Sequence, residues 1–152
     1  MTTVHCARDL PASHEEAERL WCDVDRWGAF VEGFGAVVSR SGEWPLEGAV
    51  VVWDSTPHGR GRVTERVRER EAGVGQLVEL QEERLTGTRR VWFGDLEHGV
   101  RVGLELDYRL RGPRLRTVWI DWLFVRRALQ DSVERELEAF GRELLAGRLP
   151  SR

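Results

Sequence analysis

The sequence predicts an α+β domain in which a seven-stranded antiparallel sheet wraps one long C-terminal helix, with two short helices after the first strand. Three observations carry this. Apolar residues recur with period two through much of residues 34–110, the spacing of half-buried strands. Short turns rich in Gly, Pro and Ser separate those runs, which implies antiparallel neighbours. From Val118 to Leu144 the period becomes helical.

Thr2 to Leu10 reads as the first strand, ended by Pro11. Ser13 to Glu16 has the S-x-x-E pattern of a capping box, and Ala17, Leu20, Trp21 and Val24 follow at helical spacing. Asp25-Arg26-Trp27-Gly28 breaks that helix. Trp27, Phe30 and Val31 then suggest a second, shorter one. Val37 and Val38 lie in a strand, residues 41–48 form a hairpin tip, and Ala49 to Ser55 is the next strand. Gly61 to Glu71 alternates strongly. Arg60, Arg62, Thr64, Arg66, Arg68 and Arg70 fall on one face, and Val63, Glu65, Val67 and Glu69 on the other. Gln76 to Glu82, Thr88 to Leu96 and Val100 to Leu110 complete the sheet. A two-residue His98-Gly99 turn would place Phe93 beside Leu104 and Val91 beside Leu106, facing inward.

Gly112-Pro113 ends the last strand. The final helix, about 30 residues and 45 Å long, is the only element large enough to cover the sheet. Its apolar stripe runs through Val118, Trp119, Trp122, Leu129, Val133, Leu137, Phe140 and Leu144, with Arg126 inside it. Ile120 and Phe124 lie off the stripe and are expected to meet a loop or a second chain, which leaves a homodimer open. Residues 1–148 are expected to form one domain and 149–152 a tail.

A chain of 152 residues, 41% hydrophobic and 32% charged, has the composition of a globular protein. Its net charge of −3 predicts no bulk attraction to nucleic acid or to an anionic membrane. No apolar run is long enough for a membrane span. No secretory h-region opens the chain, so a cytoplasmic protein is expected. All 23 basic residues are Arg, Asn is absent, and Ile120 is the only Ile, a bias that points to a GC-rich bacterial gene. Lacking Lys, the chain has no Schiff-base or Walker lysine.

The four histidines, His5, His14, His58 and His98, are scattered and predict no metal site. No cofactor is expected, because no G-x-G-x-x-G follows a strand. No G-x-S-x-G is present either. Cys6 and Cys22 are expected to be buried free thiols.

This layout resembles the START-like superfamily, also called SRPBCC, and within it the polyketide cyclase/dehydrase and lipid-transport branch. The resemblance rests on Leu10-Pro11-Ala12-Ser13, on Leu20 to Trp27 with Phe30, on Gly61 to Val67, on Gly99-Val100-Arg101-Val102, and on the final helix. It implies a helix-grip fold and a cavity between sheet and helix that holds apolar ligands in many members. Members include binding proteins and aromatase/cyclases, so fold does not choose between them.

Within that frame, Trp27, Phe30, Val67, Phe93, Leu104, Leu106, Tyr108, Trp119 and Trp122 are candidates to line a ligand cavity, or else to fill the core. Glu65 lies between Val63 and Val67, and a carboxylate there must be paired, hydrated or protonated. It reads as an acid/base group or ligand anchor, or as half of a structural ion pair. Arg126 is its expected counterpart across the cavity. The leading expectation is a carrier or sensor for a small apolar, aromatic or lipid/polyketide-like ligand. The alternative is a cyclase/dehydrase-like enzyme. There Glu65 would transfer protons, Tyr108 donate a hydrogen bond and Arg126 stabilise an enolate.

Overall fold

The capping box forms as its spacing predicts. The Ser13 side chain accepts from the Glu16 N–H, and the Glu16 carboxylate accepts from the Ser13 N–H at 2.9 Å. It opens α1 (His14–Cys22), which follows β1 (Thr2–Leu10). The second short helix is a 3-10 helix, Val24–Ala29. Six strands follow: β2 (Phe34–Ser41), β3 (Val50–Ser55), β4 (Arg62–Glu71), β5 (Gly75–Gln81), β6 (Leu85–Leu96) and β7 (Gly99–Leu110). The long helix α2 spans Val118–Ala146. This is a computed structural model that describes residues 2–111 and 118–147, with the side chains of α2 described from residue 123 onward. The expected break at Gly112-Pro113 and the tail at 149–152 lie outside the described residues.

The sheet order is β1-β7-β6-β5-β4-β3-β2, and every neighbouring pair is antiparallel. The chain lays its first strand beside its last, leaving β1 and β2 as the two sheet edges. α2 packs against β1, α1 and the 3-10 helix. Trp21, Phe30 and Phe140 meet where these elements converge, with ring centroids 5.2–5.6 Å apart. Such aromatic pairs add about 0.5–1.5 kcal/mol each beyond their buried area. No described helix is long and apolar enough to cross a membrane.

Two registers differ from expectation. The β6–β7 turn is Glu97-His98, because Leu96 pairs with Gly99. Gly99 is needed inside the strand: a Cβ there would stand 2.2 Å from the Leu10 carbonyl oxygen. Phe93 therefore faces Val102, and Val91 faces Leu104. The shift is two residues, so both still point inward. Trp92 points outward across Gly103, whose missing Cβ makes room for the indole.

The second difference is a bulge in β4 between Val67 and Glu69. One extra residue reverses the alternation. Glu69 turns out to solvent, where it meets Arg90, and Arg70 turns in to hold Glu18 at 2.6 Å. Arg60, expected outside with the other arginines, is half-buried as well. It pairs with Glu82 and lies 5.0 Å from the centre of the Trp53 ring.

Candidate functional site: a buried ion cluster on the concave face

Alternation along β4 turns Glu65 inward, and the side chain is fully buried. Its partner is Arg89, not Arg126. Arg89 faces inward from β6 by the same alternation that buries Val91 and Phe93. The Arg89 guanidinium donates to one Glu65 oxygen, and Trp53 Nε1 donates to the other at 2.7 Å. The far side of Arg89 lies 5.4 Å from the centre of the Trp21 ring, a cation–π contact in a desolvated place.

Arg89 also reaches toward α2. Its Nη1 is 4.0 Å from a Glu136 oxygen, and the other Glu136 oxygen accepts from the Glu32 N–H at 3.0 Å. Glu136 is 4% exposed. Around the corner, Arg60 donates to Glu82 at 2.6 Å and stacks on the Trp53 ring that serves Glu65. The interior thus gathers three carboxylates and two guanidiniums. Burial pushes the Glu136 pKa up, more than Arg89, Arg60 and the Glu32 N–H pull it down, and the Glu65 charge adds to the rise. Burial works against the charge on Arg60, but Glu82, Glu136 and Glu65 hold its pKa above the ordinary value. With one negative charge in excess, Glu136 is the group suited to keep a proton.

Tyr108 lies beside this cluster. Arg89 is the register partner of Leu106, and Tyr108 stands two residues further along β7 on the same face. Such diagonal neighbours are ~7–8 Å apart. The tyrosine is 2% exposed, and its hydroxyl makes no hydrogen bond of normal geometry among the described residues. Burial raises its pKa, and the charge of Arg126 and a hydrogen-bonding contact with Thr2, its register partner on β1, pull the other way. Leu104, Leu106 and Phe93 are buried on the same concave face.

The other candidates do not join the ion cluster. Arg126 is exposed and lines an outer recess of α2 with Leu123, Arg127, Gln130 and Asp131. Val125, one residue back, is half-buried in its place. Trp27 packs edge-on against Phe34 and Trp44, and Phe30 packs tilted against Trp21 and edge-on against Phe140, so both are core residues. Val67 sits in a separate small cluster with Ala49 and Val78. The side chains of Trp119, Ile120 and Trp122 lie outside the described residues. Phe124 is 70% exposed.

No group of His, Cys, Asp and Glu among the described residues has the arrangement of a metal site. Both cysteines are free, though only half-buried, and burial raises each thiol pKa to about 11. Neither is a thiolate nucleophile near neutral pH.

No family model and no curated protein matches the chain. Solved structures do. TTHA0849 from Thermus thermophilus is 21% identical with a TM-score of 0.77, over 97% of this chain and 100% of that one. A START superfamily protein from Mycobacterium smegmatis is 14% identical with a TM-score of 0.76, over 95% of this chain and 97% of that one. Norcoclaurine synthase from Thalictrum flavum, in complex with dopamine and hydroxybenzaldehyde, is 8% identical with a TM-score of 0.68. That match covers 97% of this chain and 88% of the synthase. At these identities the likeness is one of fold: the chain has the START-like helix-grip fold.

Proposed function

We propose that the protein is a cytoplasmic carrier or sensor that binds a small apolar or aromatic molecule between the concave face of the sheet and α2, with residues 1–148 as one domain. The observation that carries this reading is the Tyr108 hydroxyl, buried without a normal hydrogen bond among the described residues and one diagonal step from Arg89. Buried polar groups are normally satisfied. A ligand with an apolar body and one polar group would complete Tyr108 while resting on Leu104, Leu106 and Phe93. An apolar surround with a few fixed polar groups is the usual make-up of a small-molecule site. The aromatic pair held by the norcoclaurine synthase supports the choice of ligand class. The test is native mass spectrometry of protein purified from its source cells, followed by titration of the identified molecule against intrinsic Trp fluorescence. A co-purifying small molecule that Tyr108→Phe binds more weakly supports the reading. Empty protein that shows no saturable binding of aromatic probes overturns it.

Glu136 favours a second reading, an acid/base enzyme of the cyclase/dehydrase kind. A carboxyl whose pKa is raised beside a fixed guanidinium suits proton transfer. Glu65, Tyr108 and Glu136 would then handle protons, and Arg89 would take the enolate-stabilising role expected of Arg126. Conversion of the bound molecule by wild type but not by Glu136→Gln would establish this reading over a carrier.

A further inference from the structure

The convex face of the sheet, turned away from α2, holds an ordered polar surface that the interior site does not use. Thr64 of β4 opposes Gln81 of β5, Gln81 opposes Thr86 of β6, and Thr86 opposes Arg109 of β7. The next outward row is Arg66, Glu79, Thr88 and Asp107. Over these rows lies a recess of about 470 Å³, lined by Thr64, Arg66, Arg68, Thr86, Thr88 and Arg109 among others.

The arginines of this face divide into two kinds. Arg62, Arg68, Arg90 and Arg101 each hold a carboxylate, at 2.9, 2.9, 3.4 and 2.6 Å. Arg66 and Arg109 hold none and make no hydrogen bond among the described residues. Arg66 would take Glu79, its register partner, but Arg68 occupies that carboxylate. Asp107, at the end of the second row, is engaged by Thr3 of β1. The recess therefore counts Arg66, Arg68 and Arg109 against Glu79, three positive charges and one negative, a net +2 in a chain of net −3.

Threonine is at home in any strand, so the hydroxyls alone would mean little. Two unpaired guanidiniums facing one recess mean more. Each offers a planar fork of N–H donors that matches the oxygens of a phosphate. Their strands are three spacings apart, about 14 Å. Side chains leaning in from both ends bring both forks over Thr86 and Thr88, where two linked anionic groups offer each fork its own oxygens and more charge than a single small anion does. We propose that the recess between Arg66 and Arg109 is a binding site for a small molecule carrying a diphosphate group. It is independent of the interior site.

The test is isothermal titration calorimetry of the full chain with inorganic pyrophosphate at low ionic strength. One saturable site is expected, with orthophosphate binding at least ~10-fold more weakly, since hydrogen bonds to charged groups are individually worth that much. Arg66→Ala and Arg109→Ala should each weaken pyrophosphate binding ~10-fold or more on the same ground. Both residues are exposed, and thermal melting confirms that the variants fold. Arg101→Ala removes the same charge from the same face, but from an arginine already paired with Asp9. It should leave the affinity within about threefold, as a general field effect screened by salt would. The proposal is overturned if pyrophosphate gives no saturable heat, if orthophosphate binds as well, or if Arg101→Ala weakens binding as much as Arg66→Ala.

Discussion

Glu65 on β4 and Arg89 on β6 form a buried ion pair across the intervening strand β5, with Trp53 donating to the carboxylate oxygen that Arg89 leaves free. Neither side chain has more than 6% of its surface exposed. Removing one partner strands the other charge in the interior, at about 3–5 kcal/mol. Replacing both with apolar residues removes the penalty of the pair itself, leaving only Trp53 without its acceptor and Glu136, which can hold a proton, without its guanidinium. Glu65→Leu and Arg89→Met alone should each lower stability by about 3–5 kcal/mol, whereas the double variant should lose less than either. Urea denaturation in a double-mutant cycle measures the coupling. Additive losses would show that the pair does not act as a unit.

Glu136 makes the cluster sensitive to pH. Burial holds its folded pKa above the ordinary carboxylate value. The folded protein therefore binds this proton more tightly than the unfolded chain does. The stability so gained is full below the unfolded pKa, about 4.3, and is lost as pH rises through the folded pKa. Glu136→Gln has no such titration. Wild-type stability minus that of Glu136→Gln should fall as pH climbs from the acid range toward neutrality. Urea unfolding of both proteins across that range gives the difference directly, and carboxylates outside the cluster cancel in it. A difference that stays flat with pH would mean that Glu136 titrates alike in the folded and the unfolded chain.

The sequence made Glu65 legible because a strand has a period of two and Val63 and Val67 flank it. Arg89 was legible by the same rule from Val91 and Phe93. What local pattern does not contain is that β4 and β6 lie on either side of β5, so the two charges could not be matched from alternation alone. Arg126 failed for a different reason. A stripe followed over seven turns accumulates phase error, and a displacement of one residue rotates a side chain by about 100°. Val125 takes the inward slot instead. Glu136 was accessible, lying three residues from Val133 and four from Phe140 on one helix face, but its charge argued against burial until its partners were known. The swap of Glu69 and Arg70 comes from one bulge residue, which leaves no mark in composition.

Leu106 tests the packing beneath the cluster. It is 5% exposed, pairs with Val4 of β1 and Arg89 of β6, and faces the concave side. Leu106→Ala should cost about 2–5 kcal/mol if its surroundings are close-packed protein. Chemical denaturation reads the loss. A loss well under about 1 kcal/mol would instead mean that the leucine borders open space able to accept the change, and such a variant should then bind a bulkier ligand.

Tyr108→Phe separates a structural role from a ligand-binding one by the sign of its effect. A buried hydroxyl whose contact with Thr2 falls short of normal hydrogen-bond geometry has lost its water for little return, at up to about 1–3 kcal/mol. Deleting it while keeping the ring should therefore leave the ligand-free protein as stable as before, or more stable. If the hydroxyl is there to receive a ligand's polar group, the same substitution should weaken binding of that ligand by about 0.5–1.5 kcal/mol, the net worth of one neutral hydrogen bond. Thermal melting of ligand-free protein gives the first quantity and fluorescence titration the second. Opposite signs assign Tyr108 to the ligand. A Tyr108→Phe variant that loses stability without ligand would show that the hydroxyl is already satisfied within the chain, and the binding reading would lose the residue it rests on.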